Sequence, residues 1–92
     1  MPHPPPRNVL GPTLEEIRVS RGWTLEDFAA RLREAGMTCT VRQLEQIETQ
    51  RRCITDYELM YLCAVLGMTQ EELDGHLKRA MARLLRTKKK PQ

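Results

Sequence analysis

Residues 40–48 read Thr-Val-Arg-Gln-Leu-Glu-Gln-Ile-Glu. Placed on a helix, Val41, Leu44 and Ile47 fall on one side, and Arg42, Gln43 and Gln46 on the other. Thr40 suits the N-cap, with Gln43 reaching back as its capping-box partner. The stretch predicts a short helix that docks by its apolar side and turns an arginine and two glutamines outward. These side chains suit base edges, since arginine can pair with guanine and glutamine with adenine.

Glu48 breaks the pattern. It lies on the same side as Val41 and Leu44, where a carboxylate is costly unless paired. Upstream, a helix presenting Leu14 and Ile17 on one face carries Arg18 on that face too. An inward arginine and an inward glutamate in one small domain are expected to meet. A bidentate pair would fix the angle between the two helices.

The cap at Thr40 is one of a series. Thr13/Glu16, Thr24/Asp27, Thr40/Gln43, Thr55/Glu58 and Thr69/Glu72 all have capping-box spacing, each ahead of an apolar-periodic run. One such pair is weak evidence, but five in succession predict five helices. Gly22, Gly36 and Gly67 follow the first, second and fourth runs and suit left-handed stops. The second helix spans about 25–35, with Leu25, Phe28, Ala29 and Leu32 inward. The fourth spans about 56–66, with Leu59, Leu62, Cys63 and Leu66 inward. The fifth starts near Gln70 and extends as far as Arg86, with a stripe of Leu73, Leu77, Ala80, Met81 and Leu84. Residues 1–12 are proline-rich and read as an extended or disordered arm. The domain proper is 13–76. Residues 77–92 form a helical extension and a basic tail, disordered from Thr87.

A chain of 92 residues allows one domain with a modest core. Aromatics are few, while leucine, alanine and arginine abound, which favours an all-α class. No apolar run approaches the roughly 20 residues that span a bilayer. The start, Met-Pro-His-Pro-Pro-Pro, lacks the apolar stretch of a signal peptide, so a cytoplasmic protein is expected. Cys39, Cys53 and Cys63 lack metal-ligand spacing and read as reduced thiols, with Cys63 a small core residue. No nucleophile–base set, metal cluster or glycine-rich phosphate loop is visible. The expectation is a protein that is not an enzyme, with no metal, no cofactor and no small-molecule ligand.

Charge is unevenly placed. From Leu14 to His76 there are seven Arg, no Lys and all twelve acids, a net of −5. From Leu77 to Gln92 there are seven basic residues and no acid, a net of +7. The basic balance therefore comes from the tail, and the acidic body does not by itself invite nucleic acid.

The order of these pieces resembles a known family, the Cro/repressor-type helix-turn-helix domains, also called the xenobiotic-response-element family. The resemblance covers roughly Leu14 to Leu73. It is carried by Thr-Leu-Glu-Asp-Phe-Ala-Ala-Arg-Leu at 24–32, by Thr40–Glu48, and by the run from Glu58 to Thr69. Ala29 falls at the family's small second-helix residue, and Arg18 and Glu48 at its internal ion pair. The resemblance implies a five-helix, lambda-repressor-like domain with a lengthened helix 2–3 turn and a long C-terminal helix. It implies a transcriptional regulator that reads double-stranded DNA with helix 3 in the major groove, as a homodimer on two half-sites. Carried over, Val41, Arg42, Gln43 and Gln46 face bases, while Thr24, Thr40, Arg51 and Arg52 contact phosphates. The 73–84 helix is a candidate dimer contact. The chain departs from the family in three places. About five extra residues separate Leu32 from Thr40, so Arg33 to Ala35 are expected to lengthen helix 2. Leu25 replaces a glutamine that often touches DNA, and Gln50 replaces the glycine after helix 3. The acidic body also motivates another reading, an antitoxin-like adaptor that keeps the fold without strong DNA binding.

Overall fold

The computed structural model describes residues 5–88, the side chains of 84–88 excepted. Expectations for Leu84's place in the stripe and for residues 89–92 lie outside that description. The chain forms five helices and, among the described residues, no strand. They are α1 (Gly11–Ser20), α2 (Leu25–Ala35), α3 (Val41–Glu48), α4 (Asp56–Leu66) and α5 (Gln70–Lys88).

Capping sets most of these boundaries. Thr24, Thr40 and Thr55 each accept from the backbone N–H three residues on, and that residue's side chain accepts in return from the threonine N–H. Thr69 and Glu72 do the same at the start of α5. Four of the five expected boxes are thus present. At the other end, α2 runs through Ala35 and stops at Gly36, whose φ of 114° a side chain would strain. Arg33 to Ala35 therefore belong to α2, and the α2–α3 connection is residues 36–40. Met37 and Cys39 of that connection are buried, and Arg33 Nη1 donates to Cys39 O at 3.0 Å.

The fifth box is a correction. Thr13 caps nothing: it is buried inside α1, which begins two residues earlier at Gly11. Asn8 Oδ1 accepts from Gly11 N at 2.7 Å, and Pro12 sits in the first turn, where its missing N–H costs nothing. Of the expected arm over 1–12, Gly11 and Pro12 are instead helical and Arg7 and Asn8 are bonded to the end of α3. Arg7 N donates to Gln50 O at 2.9 Å, and Asn8 Nδ2 donates to Ile47 O and Arg52 O at 3.0 and 2.7 Å. Polar groups left bare at the end of α3 hold this stretch down.

The core gathers Leu14 and Ile17 of α1, Phe28, Ala29 and Leu32 of α2, and Leu44 and Ile47 of α3. Leu62 and Leu66 of α4, Leu73 of α5, and Met37 and Cys39 complete it. Ala29 is fully buried, and α2 packs against both α3 and α4. The core cysteine is Cys39 rather than Cys63, which is half-buried; Cys53 is exposed, and all three are free thiols. Beyond Leu73, α5 leaves the core: Leu77 and Ala80 are half-buried and Met81 is 48% exposed. No helix is long and apolar enough to cross a membrane among the described residues.

Candidate nucleic-acid interface

Helix α3 is anchored from three directions. Leu44 and Ile47 are completely buried. Glu48, only 5% exposed, takes a fork from Arg18: Nε to Oε2 at 2.7 Å and Nη2 to Oε1 at 3.0 Å. The remaining Arg18 nitrogen, Nη1, donates to Trp23 O at 2.9 Å, so one guanidinium ties α3, α1 and the α1–α2 turn together. Burial pushes the Glu48 carboxyl above the usual carboxylate range, and the hydrogen bonds and charge of Arg18 pull it part of the way back. The third anchor is backbone contact. A Cβ on Gly11 would strike the carbonyl oxygen of Ile47 and lie 2.7 Å from that of Glu48.

So held, α3 turns Arg42 to solvent, with Gln43 and Gln46 half-buried beside it. Val41 is half-buried and packs on the core, so only part of it remains for an outside contact. Gln43 Oε1 accepts from Thr40 N at 3.0 Å. The capping box thus commits the carbonyl end of Gln43, leaving its amide hydrogens as the group it can offer outward. Glu45, which the sequence reading passed over, is half-buried in the same turn.

The expected phosphate contacts are also engaged within the chain. The N–H groups of Thr24 and Thr40 already donate to Asp27 Oδ2 and Gln43 Oε1, each at 3.0 Å. Their hydroxyl oxygens accept from Asp27 N and Gln43 N. What these threonines retain for a ligand is the hydroxyl proton. The Thr24 backbone and side-chain hydrogen bonds hold the Asp27 carboxyl below its ordinary range. It is therefore an anion at the very N-terminus that a phosphate would use. Arg51 Nη2 lies 2.8 Å from Glu45 Oε2, and its Nε donates to Thr49 Oγ1 at 3.1 Å. Arg52 Nη2 stands 3.9 Å from Glu58 Oε2. The Arg51–Glu45 pair is 63% and 39% exposed, and such surface pairs exchange readily.

Two further residues hold this face: Asn8, which the sequence reading missed, and Gln50, which it noted only as a departure. Asn8 bridges the start of α1 and the end of α3 through the bonds above. Gln50, where the resembled family has glycine, takes a φ of 65° and donates its side-chain Nε2 to Asn8 O at 2.9 Å. A left-handed backbone thus follows α3, taken by a glutamine whose side chain is bonded. Among the described residues, no three His, Cys, Asp or Glu gather where they could hold a metal ion.

Comparison with family models, with curated proteins and with solved structures returned no match.

Proposed function

We propose that this protein binds double-stranded DNA in a sequence-specific way. In this reading it is a five-helix, lambda-repressor-like helix-turn-helix domain, with α2 as the supporting helix and α3 in the major groove. It acts as a small cytoplasmic transcriptional regulator, working as a pair of copies and without catalysis. The observation that carries the reading is the two-sidedness of α3. One side is locked by Leu44, Ile47 and the Arg18–Glu48 fork. The other offers Arg42, Gln46 and the amide of Gln43, with Arg51 and Arg52 directly after the helix. Rigid positioning of a few base-matching side chains is what direct readout needs.

Arg42 is assigned the main base contact. Arg42→Ala is expected to weaken the best duplex from a random-sequence selection by about 1–3 kcal/mol, with relaxed preference at one base pair. Fluorescence anisotropy on the selected and a random duplex checks this. An equal loss on both would move Arg42 to the phosphate contacts.

The adaptor reading keeps one observation of its own. Glu45 stands beside the readout residues and the body from Leu14 to His76 is net −5, a charge that repels phosphates. An acidic adaptor would show no duplex binding even at low salt, whereas a DNA binder loses affinity steeply as salt rises.

A further inference from the structure

Helix α4 is apolar almost all the way round. After Glu58 it carries no charge: Leu59 to Leu66 read Leu-Met-Tyr-Leu-Cys-Ala-Val-Leu. Such a helix is ordinarily covered on every side, yet the domain covers only one. Leu62 and Leu66 lie in the core, and Leu59 and Val65 pack against it. On the opposite side Tyr57 is 76% exposed, Met60 is 56% exposed and Ala64 is exposed. Tyr61 is half-buried at the edge of this side and lies over Gly36, where a Cβ would come 3.4 Å from its ring. Tyr57, Met60, Tyr61 and Ala64 stand at i, i+3, i+4 and i+7, the spacing of one helix face. Tyrosine and methionine are residue types that protein interfaces enrich.

Acids border this face. Asp56 opens the helix and is exposed. On the α2 side, Glu34 and Arg31 line an open recess with Ala35, Ala64 and Val65. On the other side, burial and the charge of Asp74 push the Cys63 thiol up, so Asp74 of α5 stands near that flank. Glu34 and Asp74 are both exposed. The base at this border, Arg31, is laid on the Trp23 ring, 4.4 Å from its centroid. Charge therefore discriminates between occupants. Phosphate-bearing partners, a duplex or an anionic membrane, are repelled. A second copy laid face to face sets these acids against their like. What the face fits is an apolar stripe flanked by lysine and arginine.

We propose that the outer face of α4 docks an amphipathic helix of another protein, apolar at i, i+3, i+4 and i+7 and basic on its flanks. The stripe of that helix lies along Tyr57, Met60 and Ala64, and one of its side chains enters the recess at Ala35. Its bases meet Glu34 and Asp74. The face shares no residue with the outward side of α3, so the proposal holds whether or not α3 reads DNA.

The test is a selection on the full chain from displayed helical peptides of about four turns. Stripe positions are fixed as apolar, and the flanks are free to be basic, acidic or neutral. Winners are synthesised with a fluorescent label and titrated by anisotropy. They are expected to carry basic flanks and to bind the wild type with micromolar affinity. Met60→Glu and, separately, Tyr57→Ser should each weaken them by about tenfold or more, with helix content checked by circular dichroism. A general attraction to the acidic body would instead grow with Met60→Glu, which adds an acid. A chain carrying Glu34→Lys and Asp74→Lys should select acidic flanks. Four results would overturn the proposal. One is a selection with no winner tighter than about 100 µM. Another is a set of winners without basic excess on the flanks. The third is an affinity that Met60→Glu and Tyr57→Ser leave unchanged. The fourth is a wild-type dimer, seen by sedimentation equilibrium, that Met60→Glu dissolves, which would give the face to a second copy. Duplex affinity of Met60→Glu should equal that of the wild type, so failure here and failure of the DNA reading are separable.

Discussion

The Arg18 guanidinium matters because all three of its nitrogens are bonded, two to the buried Glu48 carboxylate and one to Trp23 O. Glu48 is 5% exposed, and among the described residues the cation paired with it is Arg18. Removing that cation leaves a buried charge, which typically costs about 3–5 kcal/mol. Arg18→Met is expected to lose stability of that order in urea unfolding at neutral pH. The pH dependence follows from Glu48. Its carboxyl is already raised by burial, and without Arg18 the two influences that lower it are gone. A carboxyl raised in the folded state contributes stability that is full below its unfolded value and is lost as pH rises through its folded value. The deficit of Arg18→Met should therefore be largest near pH 7.5 and shrink toward pH 5. An equal deficit at both values would place the damage elsewhere than Glu48. Arg18→Met with Glu48→Leu should recover much of the loss, because an apolar pair of similar volume needs no partner. Asn8 is the other residue whose side chain has several claims on it. Asn8→Ala gives up three hydrogen bonds, to Gly11 N, Ile47 O and Arg52 O. About 2–3 kcal/mol of stability should go with them.

At the scale of elements, what the sequence disclosed was what local physics decides. Thr24, Thr40, Thr55 and Thr69 cap because the bonds they make span three residues. Gly36 and Gly67 stop helices because φ is a single-residue property. Both kinds of signal lie within a few positions of the structure they fix. The Arg18–Glu48 fork was also legible, since each charge marks itself by sitting on an apolar stripe. The start of α1 was not. Thr13 has the spacing of a cap, but Asn8 takes the role because its amide also reaches Ile47 and Arg52, some forty positions away. Gly11 looked like part of a proline-rich arm. Its reason for being glycine is the end of α3, and no local pattern can carry that. Gly11→Ala forces backbone against backbone, so it should cost about 1–3 kcal/mol or more, visible as a lower midpoint in thermal unfolding. Glu45 was passed over for a different reason. A carboxylate on an exposed helix face is ordinary, and its meaning lies in the 2.8 Å contact with Arg51. Under the DNA reading, Glu45→Gln frees Arg51 and removes a charge from the face. Duplex affinity should rise several-fold, with the salt slope steeper by about one. Stability should move by less than about 0.5 kcal/mol, because the pair is exposed.

Over the whole chain, charge is segregated along the sequence: a body of net −5 is followed by sixteen residues of net +7. Under the DNA reading, such a chain approaches the duplex with its body repelled and its tail attracted. In that reading the α3 residues would supply specificity against an unfavourable field, and the tail would supply much of the attraction. Phosphate contacts set the salt dependence at roughly 0.9 per neutralised charge on duplex DNA, whatever the sequence. Replacing Lys89 and Lys90 with glutamine should therefore lower affinity for selected and random duplexes by the same factor. The slope of log affinity against log salt should fall by up to about two. The melting temperature should be unchanged, since the core of Leu14, Leu44, Leu62 and their neighbours is untouched. Anisotropy titrations between 50 and 300 mM salt decide the matter. A slope that does not change would mean the tail's charge is spent elsewhere, and the acidic body of a neighbouring protein would then be its better match. That outcome would favour the adaptor reading.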